Sequence, residues 1–180
     1  MDWSFLRNFA ITLFALMNPL GMLPIFISYT ARERREVQRL VALFVSITVL
    51  VLVLIFMLTG SAILDFFGVS LDSFRIAGGI LLLIIGINIV NGTGTSGTKS
   101  LASQEKQSNL SQAESIYRQI VIPMAMPLLV GPGVIANVIL YANEAQAKKV
   151  SGLDFGLIIM TVVVSVLVFV ILAAGKDLQI

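Results

Sequence analysis

Of 180 residues, 57% are hydrophobic and 12% charged, with a mean hydropathy of +0.97 and a net charge of +2. Soluble domains carry about a quarter charged residues, so the composition excludes a water-solvated globule and points to an all-α, polytopic bundle of helices in a lipid bilayer. The small net charge argues against a nucleic-acid partner. The absence of Cys and His removes disulfides, thiolate and Ser-His nucleophiles, haem ligation and most zinc sites, so no enzyme, cofactor or metal is expected.

A membrane-spanning helix needs about 20 mostly apolar residues. The first such run covers Phe5–Tyr29. No small-residue cleavage site closes it, so it reads as a retained helix. The second covers Leu40–Leu58 and the third Phe74–Val90. Between them, Gly60–Ser73 reads as a short interfacial segment or connecting loop, with Ile63, Leu64, Phe66 and Phe67 against the headgroups. Residues 91–119 open on Asn-Gly-Thr-Gly-Thr and continue Ser-, Gln-, Glu- and Lys-rich, a flexible-linker composition. The fourth run covers Ile120–Tyr141 and the fifth Phe155–Ala174. The chain thus divides into a first three-helix repeat (1–90), a polar linker (91–119) and a two-helix second repeat (120–180).

With five spans, one membrane face receives Arg32, Arg34, Arg35, Arg39, Lys99, Lys106, Arg118 and Lys176, and the other Arg7, Arg75, Lys148 and Lys149. Positive charge marks the cytoplasmic side. The expectation is a multi-pass protein of the inner (plasma) membrane with its N-terminus outside.

The first and fourth runs carry unusual chemistry. One contains Asn18-Pro19-Leu20-Gly21 and Pro24; the other contains Pro127-Leu128 followed by Gly131-Pro132-Gly133. Proline removes a backbone donor and glycine relaxes the backbone, so both helices should kink or unwind there. Both read P-L-x-x-x-P, at Pro19–Pro24 and at Pro127–Pro132. In hydrocarbon an unwound backbone is tolerated only where it is buried in protein or lines a wet cavity. Matched breaks in two repeats of opposite orientation are the pattern of a secondary transporter binding its solute near the midplane. Freed N–H groups there would attract a carboxylate. Candidate binding residues are therefore Asn18, Pro19, Gly21, Pro24, Pro127, Gly131 and Gly133, with the intramembrane amides Asn88 and Asn137. Thr161 and Ser165 are expected to bond back to their own helix, and Gly79 and Gly86 to mark a packing face. No carboxylate relay inside a span is visible.

Three stretches together resemble the MarC family of prokaryotic integral membrane proteins. They are Asn18-Pro19-Leu20-Gly21 with Pro24-Ile25-Phe26, Phe74-Arg75-Ile76-Ala77-Gly78-Gly79-Ile80, and Ile122-Pro123-Met124-Ala125-Met126-Pro127-Leu128-Leu129 with Gly131-Pro132-Gly133. They fall in order and span essentially the whole chain. The resemblance implies six spans, an outside N-terminus and a place among amino-acid exporters, including SnatA-like small neutral amino-acid transporters. This chain reaches Ile180 just after its fifth span, so the sixth helix, the partner of the third, is expected to be missing. The leading expectation is a transporter or exporter of small neutral amino acids or similar metabolites, working by alternating access. The rival is a non-transporting membrane scaffold or stress-related protein. The expected partners are the bilayer and a small solute, with homo-oligomerisation left open.

Overall fold

The computed structural model describes residues 2–90, 109–120, 125, 128–148 and 152–176. Every regular element among them is helical. Helix α1 (Trp3–Met17) begins at Asp2, whose carboxylate accepts the Phe5 N–H at 3.1 Å. It buries Phe5, Leu6, Phe9, Leu13 and Met17, the three-and-four spacing of one helix face. Helix α2 (Pro19–Thr30) follows after a single intervening residue. Helix α3 (Arg35–Phe66) buries Val37, Val41, Val45, Val49, Val53 and Met57 along its length. A turn through Gly68, at φ 66°, leads to α4 (Leu71–Val90). Then come α5 (Asn109–Ile120), α6 (Pro132–Lys148) and α7 (Leu153–Ala173), the last closed by a 3-10 turn at Ala174–Lys176. Trp3–Thr30, Arg35–Phe66 and Leu153–Ala173 are each long and apolar enough to cross a bilayer. The protein is a helical membrane bundle.

Helix α3 is the axis, packed by α5, α6 and α7. Helix α1 lies on α6 and α7, α2 on α7, and α4 on α6. The buried positions of α3 and α7 share a register. Gln38, Ala42, Val45, Ser46, Val49 and Val53 match Leu157, Thr161, Val164, Ser165, Val168 and Leu172 at a constant displacement of 119, and all are buried.

The structure revises several boundaries. Helix α3 runs through Gly60 to Phe66, so most of the expected interfacial segment is helix and only residues 67–70 connect. In hydrocarbon, leaving several backbone groups unpaired costs far more than glycine's helix penalty of about 1 kcal/mol. Gly60 also has a packing role, since a Cβ there would run into the Ile139 side chain of α6. Residues 109–120, linker by composition, form α5 instead. Ala113, Ile116, Tyr117 and Ile120 recur at helical spacing, and Ala113 and Ile120 are buried. Its Tyr117 hydroxyl pairs with Thr48 Oγ1 at 2.6 Å and its ring lies edge-on to Phe44, while Gln112 donates to Glu33 at 2.6 Å. Within the expected fourth span, Ile120 ends α5 and α6 begins at Pro132, while residues 121–124, 126 and 127 lie outside the described residues. Gly79 is exposed, and a Cβ there would meet nothing within 4 Å, so it makes no close approach. Gly86's surroundings lie outside the described residues.

Lipid tails are as apolar as Leu, so helix association rests on close packing and polar pairs rather than on expulsion of water. Gly60 is the position where that contact is tightest to a named neighbour. Gly60→Val should lower stability in detergent by about 1–3 kcal/mol, with Ile139→Ala restoring part of the loss. Gly79→Ala should leave the melting temperature unchanged or slightly raised. Thermal unfolding of the purified variants checks both.

Candidate functional site

Asn18 adopts a left-handed conformation (φ 43°, ψ 57°), the only non-glycine residue to do so among those described. Asparagine tolerates this region because its short polar side chain bonds locally. Its N–H closes α1 on the Phe14 carbonyl at 3.1 Å, and its carbonyl accepts the Met22 N–H at 3.3 Å. Its side-chain Oδ1 accepts the Gly21 N–H at 3.2 Å, capping α2. One residue therefore ends one helix and starts the next. Gly21 has to be small, because a Cβ there would lie 2.9 Å from Asn18 Cγ.

Pro19 is buried at the first position of α2, where the missing N–H matters least to that helix. It does matter to α1: the Ala15 carbonyl loses its donor four residues on. Pro24 was expected to help break the span, but α2 runs through it. Its effect is to leave the Leu20 carbonyl without a helical donor. Ala15, Asn18, Leu20, Gly21 and Pro24 are all exposed. The break is therefore a two-dihedral corner at Asn18 with two freed carbonyls beside it, not an unwound stretch from Pro19 to Pro24.

The second break has a different form. The Val130 N–H reaches back five residues to the Ala125 carbonyl at 2.9 Å, a π-type turn, and Gly131 is buried. The first bond of α6 runs from the Ile135 N–H to the Gly131 carbonyl at 3.0 Å. Ahead of it lie the N–H groups of half-buried Gly133 and of Val134, which have no backbone partner among the described residues. Gly131 has no side chain to cap them. Pro127 lies outside the described residues.

The two breaks lie at similar depth. Lys148, ending α6, pairs with Asp2 at 3.3 Å and stands 4.2 Å above the Phe5 ring; Tyr141 packs on Phe5 and Phe9 with centroids 4.9 and 5.2 Å away. Helices α1 and α6 thus run in opposite directions from this clasp. At about 1.5 Å per residue, Asn18 is ~20 Å along α1 from Phe5 and Val130 is ~16 Å along α6 from Tyr141. The Phe5 N–H, and then Lys148, hold the Asp2 carboxyl below the usual carboxylate range.

Asn137 lies just over one turn into α6, half-buried, with its Oδ1 enclosed and without a hydrogen-bond partner among the described residues. Such an acceptor costs about 1–3 kcal/mol unless something donates to it. Asn88 is on α4, which packs against α6, but its side chain lies outside the described residues. Thr161 bonds back to the Leu157 carbonyl at 2.9 Å as expected. Ser165 does not: its buried Oγ has no hydrogen-bond partner among the described residues, and neither has that of Ser46 on α3. The structure therefore gathers Asn18, Pro19 and Gly21 into one cap and Gly131 and Gly133 into one helix start. It leaves Pro24 outside the corner. The clasp of Asp2, Phe5, Phe9, Tyr141 and Lys148 has no local sequence signal, since it joins positions over 130 residues apart.

The profile of the MarC family of integral membrane proteins matches residues 3–177. A UPF0056 membrane protein of Buchnera aphidicola subsp. Baizongia pistaciae is 38% identical over 149 residues, 82% of this chain and 66% of that protein. UPF0056 membrane protein YhcE of Escherichia coli is 35% identical over 145 residues, 79% of this chain and 64% of its own length. A UPF0056 membrane protein of Pyrococcus abyssi is 36% identical over 177 residues, 96% of this chain and 79% of its own. The chain thus spans about two thirds of the length of the first two relatives. No solved structure matches it.

The double-cap role of Asn18 sets an order of stability. Asn18→Gly keeps the backbone and loses only the side-chain bond, so it should cost a few tenths of a kcal/mol. Asn18→Ala loses the cap and strains the left-handed corner, and should cost about 1–3 kcal/mol. Thermal unfolding of the two variants side by side reads the difference, and equal stabilities would contradict the cap.

Proposed function

This chain belongs to the MarC family of integral membrane proteins, and we propose that it carries small neutral amino acids, or metabolites of like chemistry, across the bilayer by alternating access. The observation that supports this is the pair of interrupted helices, with freed carbonyls at the end of α1 and free N–H groups at the start of α6, at similar depth. An exposed polar backbone inside a membrane protein calls for a wet cavity or a polar occupant.

The two ends complement a zwitterion. The N-terminus of α6 carries partial positive charge and N–H donors at Gly133 and Val134, suited to a carboxylate. The carbonyls of Ala15 and Leu20 suit an ammonium group. The open acceptor of Asn137 takes a further donor, with Asn18 and Asn88 as additional amides. The residues that form the breaks, 15–24 and 125–134, carry no charge, so binding would favour solutes of zero net charge. The corner at Asn18 gives α2 a pivot relative to α1, the kind of joint that rocking between inward- and outward-open states requires. The chemistry is that of a carrier, not of an enzyme.

The surplus of Lys and Arg at 32–39 and at 99, 106, 118 and 176 favours that face as cytoplasmic, in an inner (plasma) membrane with the N-terminus outside. A single cysteine replacing Arg34 should be shielded from impermeant thiol reagents in intact cells, and one replacing Ala147 should be labelled. Reversed labelling would overturn the orientation.

Transport is tested with the purified chain in proteoliposomes, measuring exchange of a labelled panel of glycine, alanine, serine, lysine and glutamate. Neutral solutes should move and charged ones should not. Gly133→Val should reduce exchange at least tenfold while Gly79→Ala keeps it. If no member of the panel moves, the carrier reading fails and the scaffold reading takes its place.

A further inference from the structure

Helix α5 carries two chemistries on opposite faces. Ala113, Ile116, Tyr117 and Ile120 share an arc of about 100° and form its packed side, with Ala113 and Ile120 buried. Opposite them, Ser111, Glu114, Ser115 and Arg118 recur at spacings of three and four, within a second arc of about 100°. Glu114, Ser115 and Arg118 are exposed, as is Gln119 at the edge of the stripe, and Ser111 is half-buried. Glu114 and Arg118 pair at 2.7 Å, yet their side chains remain 54% and 75% exposed. On a helix lying in the membrane surface, such a stripe would simply face bulk water.

Helix α5 does not lie in the surface. Gln112 donates to Glu33, in the turn ahead of α3, and five residues on Tyr117 meets Phe44 and Thr48 on α3 itself. Helix α5 therefore descends into the membrane in the same direction as α3. The uncharged run of α3 begins at Leu40, after Arg39, so Phe44 and Thr48 lie ~6 and ~12 Å along it. Glu114 is three residues short of Tyr117 and Arg118 one beyond, which brings the ion pair down into the hydrocarbon layer. Gln119 lies one residue deeper, on a side chain too short to reach the surface. At this level the exposed residues of α3 are Leu43, Ile47 and Val51, as lipid requires. Ionisable side chains at such depth face a bundle interior or a water-filled cavity. Glu114 and Arg118 have each other but remain open, and open charge calls for water.

We infer that the polar stripe of α5 is one wall of a water-filled vestibule, open on the face that carries Arg34 and leading down toward the second break. The chain itself makes that connection: five residues beyond Ile120 it reaches Ala125, whose carbonyl closes the turn ahead of α6. The vestibule holds bulk water and whatever small hydrophilic solute that water carries. Its wall presents both signs of charge side by side, so it neither concentrates nor repels ions of one sign. The inference rests on depth and charge and does not depend on what the protein carries.

The chain has no cysteine, so single thiols report cleanly. Ser115→Cys and Gln119→Cys probe the stripe, and Ile47→Cys and Val51→Cys are lipid-face controls at the same depth. Membrane vesicles receive a quaternary-ammonium methanethiosulfonate, which does not cross the bilayer, on the side where an Arg34→Cys chain reacts. The stripe thiols should react at least tenfold faster than the controls, and should stay unmodified when the reagent is added to the opposite side. A stripe as unreactive as Ile47→Cys and Val51→Cys is dry and overturns the inference, as does reaction from the opposite side. Depth is read separately from thermal unfolding of Thr48→Val, Tyr117→Phe and the double variant. The double variant should lose less than the sum of the single losses, because the two hydroxyls bond to each other. Additive losses also overturn the inference, since α5 would then lie in the surface, where its polar face needs no vestibule. Failure of exchange in the proteoliposome assay leaves these results untouched, and a dry stripe leaves exchange possible, so the two readings fail separately.

Discussion

Inside a bilayer no water is available to satisfy a backbone N–H or C=O, and the architecture follows from that constraint. It makes every described element a helix, and it favours carrying α3 on through Gly60 to Phe66. It also makes any interruption costly. At Asn18 the cost is held down by using one residue three times: its N–H ends α1, its carbonyl joins α2 and its amide oxygen caps α2. What cannot be repaired is what proline removes. The carbonyls of Ala15 and Leu20 remain as polar points on an otherwise apolar span.

Because lipid offers no hydrophobic drive between helices, the bundle relies on fit and on a few polar pairs near its ends. Gly60 lets α6 approach α3 closely through Ile139. Thr48–Tyr117 and Glu33–Gln112 fasten α5 to α3 and its approach. Asp2 and Lys148, both substantially exposed, add little as an ion pair alone. Their geometry with Phe5, Phe9 and Tyr141 nonetheless fixes the relative direction of α1 and α6.

The membrane class, the family and the existence of most spans were legible in the sequence because they depend on composition and on short local motifs. Pro19 and Pro132 each open a helix directly after an interruption, whereas α2 runs through Pro24. What they could not show was which residue turns the corner. That depends on Asn18 adopting a left-handed backbone and bonding forward to Gly21, a local choice that an isolated Asn-Pro does not dictate. The α5 segment was missed because a polar, Ser- and Gln-rich stretch reads as linker unless its sparse apolar positions are counted at helical spacing. Ser165 was expected to bond to its own helix and does not. Rotamer choice in a packed interface is invisible to sequence. The clasp and the Gly60–Ile139 contact are long-range and have no local signature.

Helix α3 has 32 residues, about 48 Å of helix at 1.5 Å each, against a hydrocarbon core of roughly 30 Å. Its apolar run from Leu40 to Leu64 alone is ~36 Å, long enough to cross an average bilayer with a lean from the normal that its packing sets. Because α5, α6 and α7 all rest on α3, that lean is imposed on the bundle as a whole. A thicker membrane would draw α3 upright and a thinner one would lay it further over, each at a modest elastic cost. Bilayer thickness thereby becomes a mechanical input to this protein, setting the attitude of the helices that carry the two breaks.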